Sequence, residues 1–525
     1  MRILNYFCFL SLILLIPVLI TACASSKSGI SPFGSSGEKA GTVSINYNES
    51  HQVIDGFGGS DAWLRVPSFK DTSEELVKLL FSKTEGIGLS ILRNRIPFRE
   101  GLPGDRQTND DGFLVRKDDY TYSYTANSNG TKTYNLNWEN WDLSNTKDLI
   151  KKIKALGDSG PEKLVIMSTP WTPPNNRVTQ WKEDVTGAGR RSDYKMDHSM
   201  PDRWGRLKKT YYNDYADLLA DYVLNFEANM GHPLSILSVQ NEPNWKADWE
   251  CCYWSGTDLR DFIKLISQRF PMKGIKFGSN GIGIMMPEYE NFNISFNEMI
   301  KPSMDEPEAE KIISHIALHQ YNAPSDASSR AGSMEFPDII NTGKRFWQTE
   351  VSGSGTYLPK GAGIHNALFY ARMIHWDLTL TQMNAYLYWW LWQNTATSDF
   401  PGALIKIEDD EVIPSHRLYA LGQFSRFIRP GWRRIDCTIT PARGTYSSAY
   451  KNPAGNEIAI VIINETISAS ACTLDLSGAV FDKLEVWRTS ENETLKAVGS
   501  RTVSSSKVNV VLAPLSVTTF YGKVK

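Results

Sequence analysis

This sequence has little net charge, few cysteines and, beyond its first residues, no long apolar run. Its 56 Lys and Arg residues against 58 Asp and Glu residues do not indicate a nucleic-acid-binding protein. The six cysteines show no repeated metal-ligand spacing. After the N-terminal segment, no stretch is long and apolar enough to span a bilayer. Aromatic residues are abundant instead: 16 Trp, 22 Tyr and 22 Phe can fill large cores or form flat surfaces on which ligands stack.

The N-terminus has the pattern of a secretory signal. Residues 1–22 combine a positive charge at Arg2 with an apolar run and a small-residue segment. The stretch "ITAC", Ile20–Cys23, resembles a bacterial lipoprotein box, which implies cleavage before Cys23 and lipidation of its thiol. A simple signal peptide is the alternative. Residues 23–41 are rich in Ser and Gly, as a flexible tether is. We therefore expect export across the inner membrane and lipid anchoring at the bacterial cell envelope, with the outer-membrane surface as one location.

Residues 52–420 alternate short apolar runs with longer helical patterns, the order that builds parallel strands joined by helical crossovers. Helical periodicity is clear at residues 73–84, 211–229, 256–270 and 365–381. Eight strand candidates predict an α/β fold, a (β/α)8 TIM barrel. A doubly wound open sheet is the rival, but no Gly-rich dinucleotide loop follows the first strand. The predicted strands are Ile54–Ser60, Leu89–Ile96, Lys163–Trp171, Leu234–Pro243, Lys273–Asn280, Ile312–Tyr321, Lys344–Val351 and Ala385–Trp392.

The last part of the chain, residues 421–525, changes to short alternating strands, which predicts a side β-sandwich domain. An isolated strand at residues 42–51 is expected to join this domain and so connect it to the barrel. Cys437 and Cys472 both fall in strand-like segments of the second domain. We consider a disulfide between them, because an oxidising compartment would permit one.

Two glutamates stand at the ends of predicted barrel strands. Such strands are apolar within the wall and present functional side chains at their C-terminal ends. The apolar run from Leu234 ends in this way at Glu242, and Glu350 ends the seventh predicted strand. One strand-end Glu is usually a solvated residue or half of an ion pair. Two that face one cleft are the apparatus of glycoside hydrolysis, in which one protonates the leaving oxygen and the other attacks the anomeric carbon or activates water.

Polar and aromatic residues accompany the two glutamates at the predicted rim. Stacking and hydrogen bonding by such residues suit a sugar, and Tyr321 could steady an anionic nucleophile. His315 and His319 share a strand face but lack a third ligand, so we expect no metal site. Arg93 could equally be a structural ion-pair partner, and Asn94 is a further rim residue. The predicted substrate-binding residues are Asn241, Arg93, Trp171, Tyr321, His319, Trp389 and Trp245.

Several motifs together resemble glycoside hydrolase family 30. They include "DGFGGSDAW", "STPWTPPNN", "VQNEPNW", "WQTEV", "AYLYWW" and "FSRFIRPGWRRIDCT", and they run in order through nearly the whole mature chain. The resemblance implies a retaining enzyme built from a (β/α)8 barrel and a side β-domain that borrows N-terminal strand residues. We expect no metal and no cofactor. By motif, Glu242 would be the general acid/base and Glu350 the nucleophile.

Within that family, the sequence most resembles the bacterial xylanase branch, which implies β-1,4-xylan as the polysaccharide substrate. The glucuronoxylan-specific members carry adjacent arginines after the strand-eight tryptophans. This chain has Trp392 and Gln393 there, so we expect a xylanase that does not require glucuronic acid side chains. The alternatives are a β-1,6-glucanase or another β-glycosidase of the family, and a surface glycan-binding lipoprotein without turnover.

A second departure from the family pattern is the long polar stretch Gly101–Trp138. Loops of this length are usually functional or disordered. If this one closes one end of the cleft, the enzyme releases short products from chain ends. The alternative is a surface excursion.

Overall fold

The computed structural model describes residues 41–98, 124–174, 181–184, 204–321, 334–353, 361–394 and 402–525. The predicted signal peptide, Cys23 and the tether lie outside the described residues, as does most of the Gly101–Trp138 stretch. Within the described ranges, no helix is long and apolar enough to cross a membrane.

The strands and helices follow one another in the order expected for a barrel with a second β-rich domain. The strands are β1 (Gly41–Val53), β2 (Gly56–Ser60), β3 (Ile91–Ile96), β4 (Tyr124–Ala126), β5 (Lys132–Tyr134), β6 (Val165–Pro170), β7 (Lys182–Glu183), β8 (Arg206–Leu207), β9 (Ile236–Ser238), β10 (Gly283–Tyr289), β11 (Ile313–His319), β12 (Arg345–Glu350), β13 (Ala385–Trp390), β14 (Trp392–Asn394), β15 (Ile405–Glu408), β16 (Glu411–Pro414), β17 (Arg433–Cys437), β18 (Thr445–Lys451), β19 (Glu457–Asn464), β20 (Ser470–Asp475), β21 (Phe481–Ser490), β22 (Glu493–Thr502), β23 (Lys507–Leu512) and β24 (Ser516–Val524). The α-helices are α1 (Lys70–Phe81), α2 (Trp141–Ala155), α3 (Tyr212–Met230), α4 (Gly256–Met272), α5 (Lys301–Met304), α6 (Pro307–Glu310), α7 (Pro337–Asn341), α8 (Ile364–Thr379) and α9 (His416–Ser425).

Eight parallel strands close the barrel in the order β10-β11-β12-β13-β2-β3-β6-β9, and this confirms the predicted fold class. Strand alternation divides the side chains of each strand between two cores. One core fills the lumen with Ile91, Met167, Met285, Trp347 and Leu387. The other core lies between the strands and the surrounding helices.

Local sequence signals explain where the long helices begin and end. Ser255 caps α4 and forms a reciprocal capping box with Asp258. Gly231 ends α3 with φ 71°, a left-handed conformation that glycine adopts without steric cost. The four helical patterns in the sequence correspond to α1, α3, α4 and α8. These predictions are confirmed because each helix buries one apolar face that the periodicity revealed.

One strand prediction is wrong. Residues 273–280 do not form the fifth barrel strand, and residues 278–280 make a single 3-10 turn. The fifth strand is β10, which starts at Gly283 and pairs in parallel with β9 and β11. Gly274, Gly278 and Gly281 interrupt the earlier segment, whereas the run Ile282–Met286 is continuously buried, as a strand covered on both faces requires.

The second domain is a mostly antiparallel β structure of nine strands, ordered β22-β21-β24-β19-β18-β17-β1-β20-β23. Strand β1 links its two parts, because its first residues pair in parallel with β20 and its later residues pair antiparallel with β17. The register shifts between Asn46 and Ser50, so the strand bends there. Residues from β1, β19, β21 and β23 share one apolar core, so the sheet folds over itself like two layers of a sandwich.

The disulfide considered between Cys437 and Cys472 is not formed, and both thiols are buried and free. Strand β1 lies between the two, since Cys437 pairs with Ile45 and Cys472 pairs with Gly41. Strands lie about 4.8 Å apart, so two cysteines on either side of β1 are roughly 10 Å apart or more. That separation exceeds the span of a disulfide, about 7 Å between Cα atoms.

Candidate active site

Four consecutive barrel strands bring acidic and imidazole side chains to one mouth of the barrel. Glu242 follows β9, Glu288 lies near the end of β10, His319 ends β11 and Glu350 ends β12. All four side chains are buried. One carboxylate oxygen of Glu242, one of Glu350 and a ring nitrogen of His319 lie within 4.8 Å of one another. The sequence prediction that Glu242 and Glu350 face each other is therefore met by the geometry.

Arg93 of β3 organises the floor of this site. Its guanidinium is fully buried and donates from Nη1 to Oε2 of Glu350 at 2.6 Å and from Nη2 to Oδ1 of Asn241 at 2.6 Å. Its Nε donates to Oε1 of Glu288 at 3.1 Å. Each direction of the rigid fork thus meets a different acceptor, which a lysine could not reproduce. Asn241 is committed to Arg93 through its carbonyl oxygen, and its amide group is the part that can reach a sugar hydroxyl.

The two predicted catalytic carboxyls have different hydrogen-bond partners. Glu350 accepts from Arg93 and also, at Oε1, from the hydroxyl of Tyr321 at 2.8 Å. Glu242 Oε1 lies 2.9 Å from Nδ1 of His319. Both partners of Glu350 are donors, which stabilise a carboxylate.

Electrostatic effects in the site are large because the groups are buried. Burial lowers the pKa of His319, but the charge of Glu350 and the contacts with Glu242 and Glu288 outweigh it and raise this pKa to about 9. Burial raises the pKa of Glu288, but Arg93 and His319 more than offset this and lower it to about 2. Burial raises the pKa of Glu350, His319 and Arg93 act against this, and the charge of Glu242 adds to it, so the net shift is upward.

The donor set does not favour a metal ion. Glu242, His319 and Glu350 offer three ligand atoms close together. The neighbouring carboxylates raise the pKa of His319 to about 9, so at neutral pH a metal would have to displace the proton of this imidazole. The geometry instead suits ion pairs and proton transfer.

Tryptophans form one wall of the mouth. Trp171 is buried under Arg93, whose guanidinium carbon lies 4.7 Å from the ring centroid. Trp389 packs against Trp171 at 5.8 Å between centroids and stacks on Trp390 at 5.2 Å. Trp63 meets Trp171 edge-on at 5.0 Å. These rings keep water from Arg93 and strengthen its ion pairs.

Trp245 and Asn94 were both predicted near the rim, and the structure places only Trp245 beside the barrel mouth. Trp245 is 43% exposed, and its main-chain N–H donates to the main-chain oxygen of Glu242 at 3.0 Å. It is therefore beside the mouth and available for stacking. Asn94 is not in the site, because strand alternation turns it toward the helices, where its side chain donates to the Tyr222 hydroxyl at 3.1 Å.

The residues at the expected arginine positions cannot clamp a carboxylate. Trp392 is fully buried and its indole N–H donates to the main-chain oxygen of Arg65 at 2.9 Å. Gln393 lies on β14 and pairs with Lys406 of β15. Neither side chain is a cation, as a bidentate carboxylate clamp would require.

The described end of the Gly101–Trp138 stretch packs on helix α3. The N–H of Lys132 donates to Asp217 at 2.6 Å, and the N–H of Tyr134 donates to Asp221 at 2.8 Å. Trp138 stacks on Tyr222 at 5.4 Å between centroids. These residues lie against the outer helix layer, and residues 101–123 are outside the described residues.

Sequence reasoning missed Glu288. It ends the run "IGIMMPE", an apolar stretch followed by Pro-Glu, so the same signal that marked Glu242 was present. The prediction of a strand at residues 273–280 puts Glu288 in a connecting segment. Only the correct strand assignment places it between the strands that carry Glu242 and His319.

The chain is similar to several known glycosidases. No family model matches the chain. A glucuronoxylanase, XynC of Bacillus subtilis strain 168, is 24% identical over 378 residues, which cover 72% of this chain and 78% of that protein. A family 30 endoxylanase structure from Clostridium papyrosolvens C71 is 25% identical with a TM-score of 0.68, covering 92% of this chain and 100% of that one. A family 30 subfamily 8 xylanase, Xyn30A from Clostridium acetobutylicum, is 27% identical with a TM-score of 0.66, covering 92% and 99%.

A structure of the endo-β1,6-glucanase BT3312 shares the fold with a TM-score of 0.63 at 18% identity, covering 92% of this chain and 94% of that one. Two of these solved structures, both xylanases, carry the name of family 30. The resemblance to glycoside hydrolase family 30, in particular to its xylanases, is confirmed, and the chain is a glycosidase.

Proposed function

We propose that this protein is a retaining glycoside hydrolase that cleaves β-1,4-linked xylan. The observation that carries the proposal is the approach of Glu242 and Glu350, whose nearest carboxylate oxygens lie within 4.8 Å at the barrel mouth. Retaining glycosidases hold their two carboxyl groups about 5–5.5 Å apart, whereas inverting enzymes need a wider gap for a water molecule. A covalent glycosyl-enzyme intermediate therefore suits this geometry.

The hydrogen bonds support a different role for each carboxyl group. Glu350, held by Arg93 and Tyr321, attacks the anomeric carbon, while Glu242 protonates the departing glycosidic oxygen. Glu242 then deprotonates the water that releases the sugar from Glu350. His319 lies 2.9 Å from Glu242 and holds its carboxyl group toward the cleft in both steps.

Xylan is proposed as substrate because the similar proteins of known activity include xylanases. We propose further that glucuronic acid branches are not required, since Trp392 is buried and Gln393 carries no charge. The β-1,6-glucanase activity of a structural neighbour makes β-1,6-glucan the second candidate.

The test is product analysis with protein that starts after Cys23, incubated with linear xylan, glucuronoxylan and β-1,6-glucan. We expect a ladder of xylo-oligosaccharides from linear xylan. Release of products from glucuronoxylan alone would contradict the proposal that the enzyme does not require glucuronic acid branches. Hydrolysis of β-1,6-glucan alone would contradict xylan as substrate, and binding without turnover on any of the three would contradict an active enzyme.

We also propose that the mature protein is anchored to the cell envelope by lipid on Cys23, because residues 20–23 resemble a lipoprotein box. Stable anchoring needs more than one acyl chain, and a lipoprotein cysteine that carries several chains would satisfy this. Metabolic labelling with an alkyne fatty acid should tag the wild-type protein and leave Cys23→Ser unlabelled. Equal labelling of both would contradict the proposal.

A further inference from the structure

Glu288 has no assigned role, yet it contacts Arg93, His319 and the main chain of Glu242. Its carboxylate accepts from Nε of Arg93 at 3.1 Å through Oε1 and from the Thr169 hydroxyl at 2.9 Å through Oε2. Its Oε1 lies 3.6 Å from Nε2 of His319. Its main-chain oxygen accepts the N–H of Glu242 at 3.0 Å. The side chain is fully buried, so these contacts replace all of its hydration.

The backbone of Glu288 is a second, independent observation. Its φ is 52°, in the left-handed region that non-glycine residues rarely occupy. Conformations of this kind cost roughly 1–3 kcal/mol and persist where the surrounding structure requires them, often at functional sites. Here the conformation lets one residue direct its carbonyl at Glu242 and its carboxylate at Arg93.

The charges in the cluster balance only with Glu288 included. Arg93 and His319 supply two positive charges, and Glu288 and Glu350 supply two negative charges. Glu242 can then hold a proton without leaving an uncompensated charge in the buried site. Without the charge of Glu288, the surplus of positive charge would favour an ionised Glu242 or a neutral His319.

We propose that Glu288 is a positioning residue that keeps Arg93 and His319 charged and oriented, so that Glu350 is the anion and Glu242 the proton carrier. This rests on the proposed function, because the two roles are those of a retaining glycosidase. The groups that face His319 are Glu242, Glu288 and Glu350, with Tyr321 packed edge-on at 6.3 Å. Arg93 faces the same carboxylates from β3, and Glu290 interacts with His319 electrostatically.

The experiment compares Glu288→Gln with wild type by NMR titration of ¹⁵N-labelled histidine and by the pH dependence of kcat on linear xylan. His319→Gln assigns the resonance. In wild type, His319 should stay protonated to about pH 9. In Glu288→Gln, the pKa of His319 and the midpoint of the alkaline limb of the kcat–pH profile should both be lower by at least one pH unit. The maximal kcat should be about 10- to 100-fold lower than in wild type, and KM should stay within about twofold. Glu288→Asp retains the charge and should restore the wild-type titration.

The matched control is Glu250→Gln. Glu250 is also buried and pairs with an arginine of β3, Arg95, but it does not contact the site. This variant should lose stability without moving either titration. If Glu288→Gln does not fold, Thr169→Val tests the same carboxylate by removing its hydroxyl partner, and a smaller shift in the same direction is expected.

An unchanged His319 titration with wild-type kcat in Glu288→Gln, or in Thr169→Val where the first does not fold, overturns the proposal. A uniform loss of kcat without a pH shift also overturns it, because a purely structural role predicts that result. The NMR readout needs no turnover. A wild-type protein inactive on all glycans but with a responsive His319 therefore refutes the proposed function and supports the network.

Discussion

The main-chain N–H of Glu242 donates a 3.0 Å hydrogen bond to the main-chain oxygen of Glu288. Both residues have left-handed backbone conformations, with φ 45° and 52°. The bond joins the chain just after β9 to the end of β10. Main-chain atoms therefore fix the position of the Glu242 backbone. Substitutions of either side chain should therefore alter chemistry more than the path of the chain.

Replacing Glu350 by Gln should reduce turnover of xylan on the order of 10⁴-fold or more, because an amide cannot attack the anomeric carbon. The amide can still accept from Arg93 and Tyr321, so the fold should be retained. Initial rates and a thermal unfolding curve check this together. Substantial residual activity in a pure, folded sample would refute Glu350 as nucleophile.

The loss of rate caused by replacing Glu242 with Ala should depend on the leaving group of the substrate. Xylan and aryl xylosides with poor leaving groups need protonation and should lose most of their rate, while an activated aryl xyloside should still form the glycosyl-enzyme. Added azide should then accelerate release and give a β-xylosyl azide. Equal losses for all leaving groups would contradict a general acid at Glu242.

Replacing Trp245 or Trp171 with Ala should have different effects on KM and on stability. Trp245 is 43% exposed beside the mouth, so Trp245→Ala should raise KM about 10-fold through lost stacking and leave the unfolding midpoint nearly unchanged. Trp171 is 2% exposed under Arg93, so its loss should cost about 3–5 kcal/mol of stability. Urea unfolding and steady-state kinetics separate the two. A stability loss for Trp245→Ala would place that ring in the core.

His319 should contribute stability that depends on pH. Its pKa is raised to about 9 in the folded state, above its usual 6.5, so the contribution is complete below pH 6.5 and disappears as pH rises through 9. The full effect is on the order of 3 kcal/mol. The difference in unfolding free energy between wild type and His319→Gln, measured from pH 6 to 10, should shrink across that window. A constant difference would mean that His319 is neutral in the folded protein.

Four thiols should be titratable in protein that lacks residues 1–23, once it is unfolded without reductant. Within the described part of the chain, Cys251, Cys252, Cys437 and Cys472 are buried and form no disulfide. The intervening strand β1 keeps the last two apart. Two missing thiols would indicate a disulfide and a different arrangement of the second domain.

The sequence alone determined the barrel and the β-rich domain, and it led to the prediction that Glu242 and Glu350 are the catalytic pair. Periodicity and strand-end motifs are local properties, so they are readable without the fold. Arg93 was predicted at the rim, but its three hydrogen bonds connect residues far apart in the chain, to Asn241, Glu288 and Glu350.

Only the tertiary structure decided which strand is the fifth and therefore that Glu288 belongs to the site. It also excluded the Cys437–Cys472 disulfide and turned Asn94 toward the helices. These outcomes depend on strand order and on which face of a strand points inward. Both are set by packing between distant segments, because a shift of one residue moves every side chain to the other face.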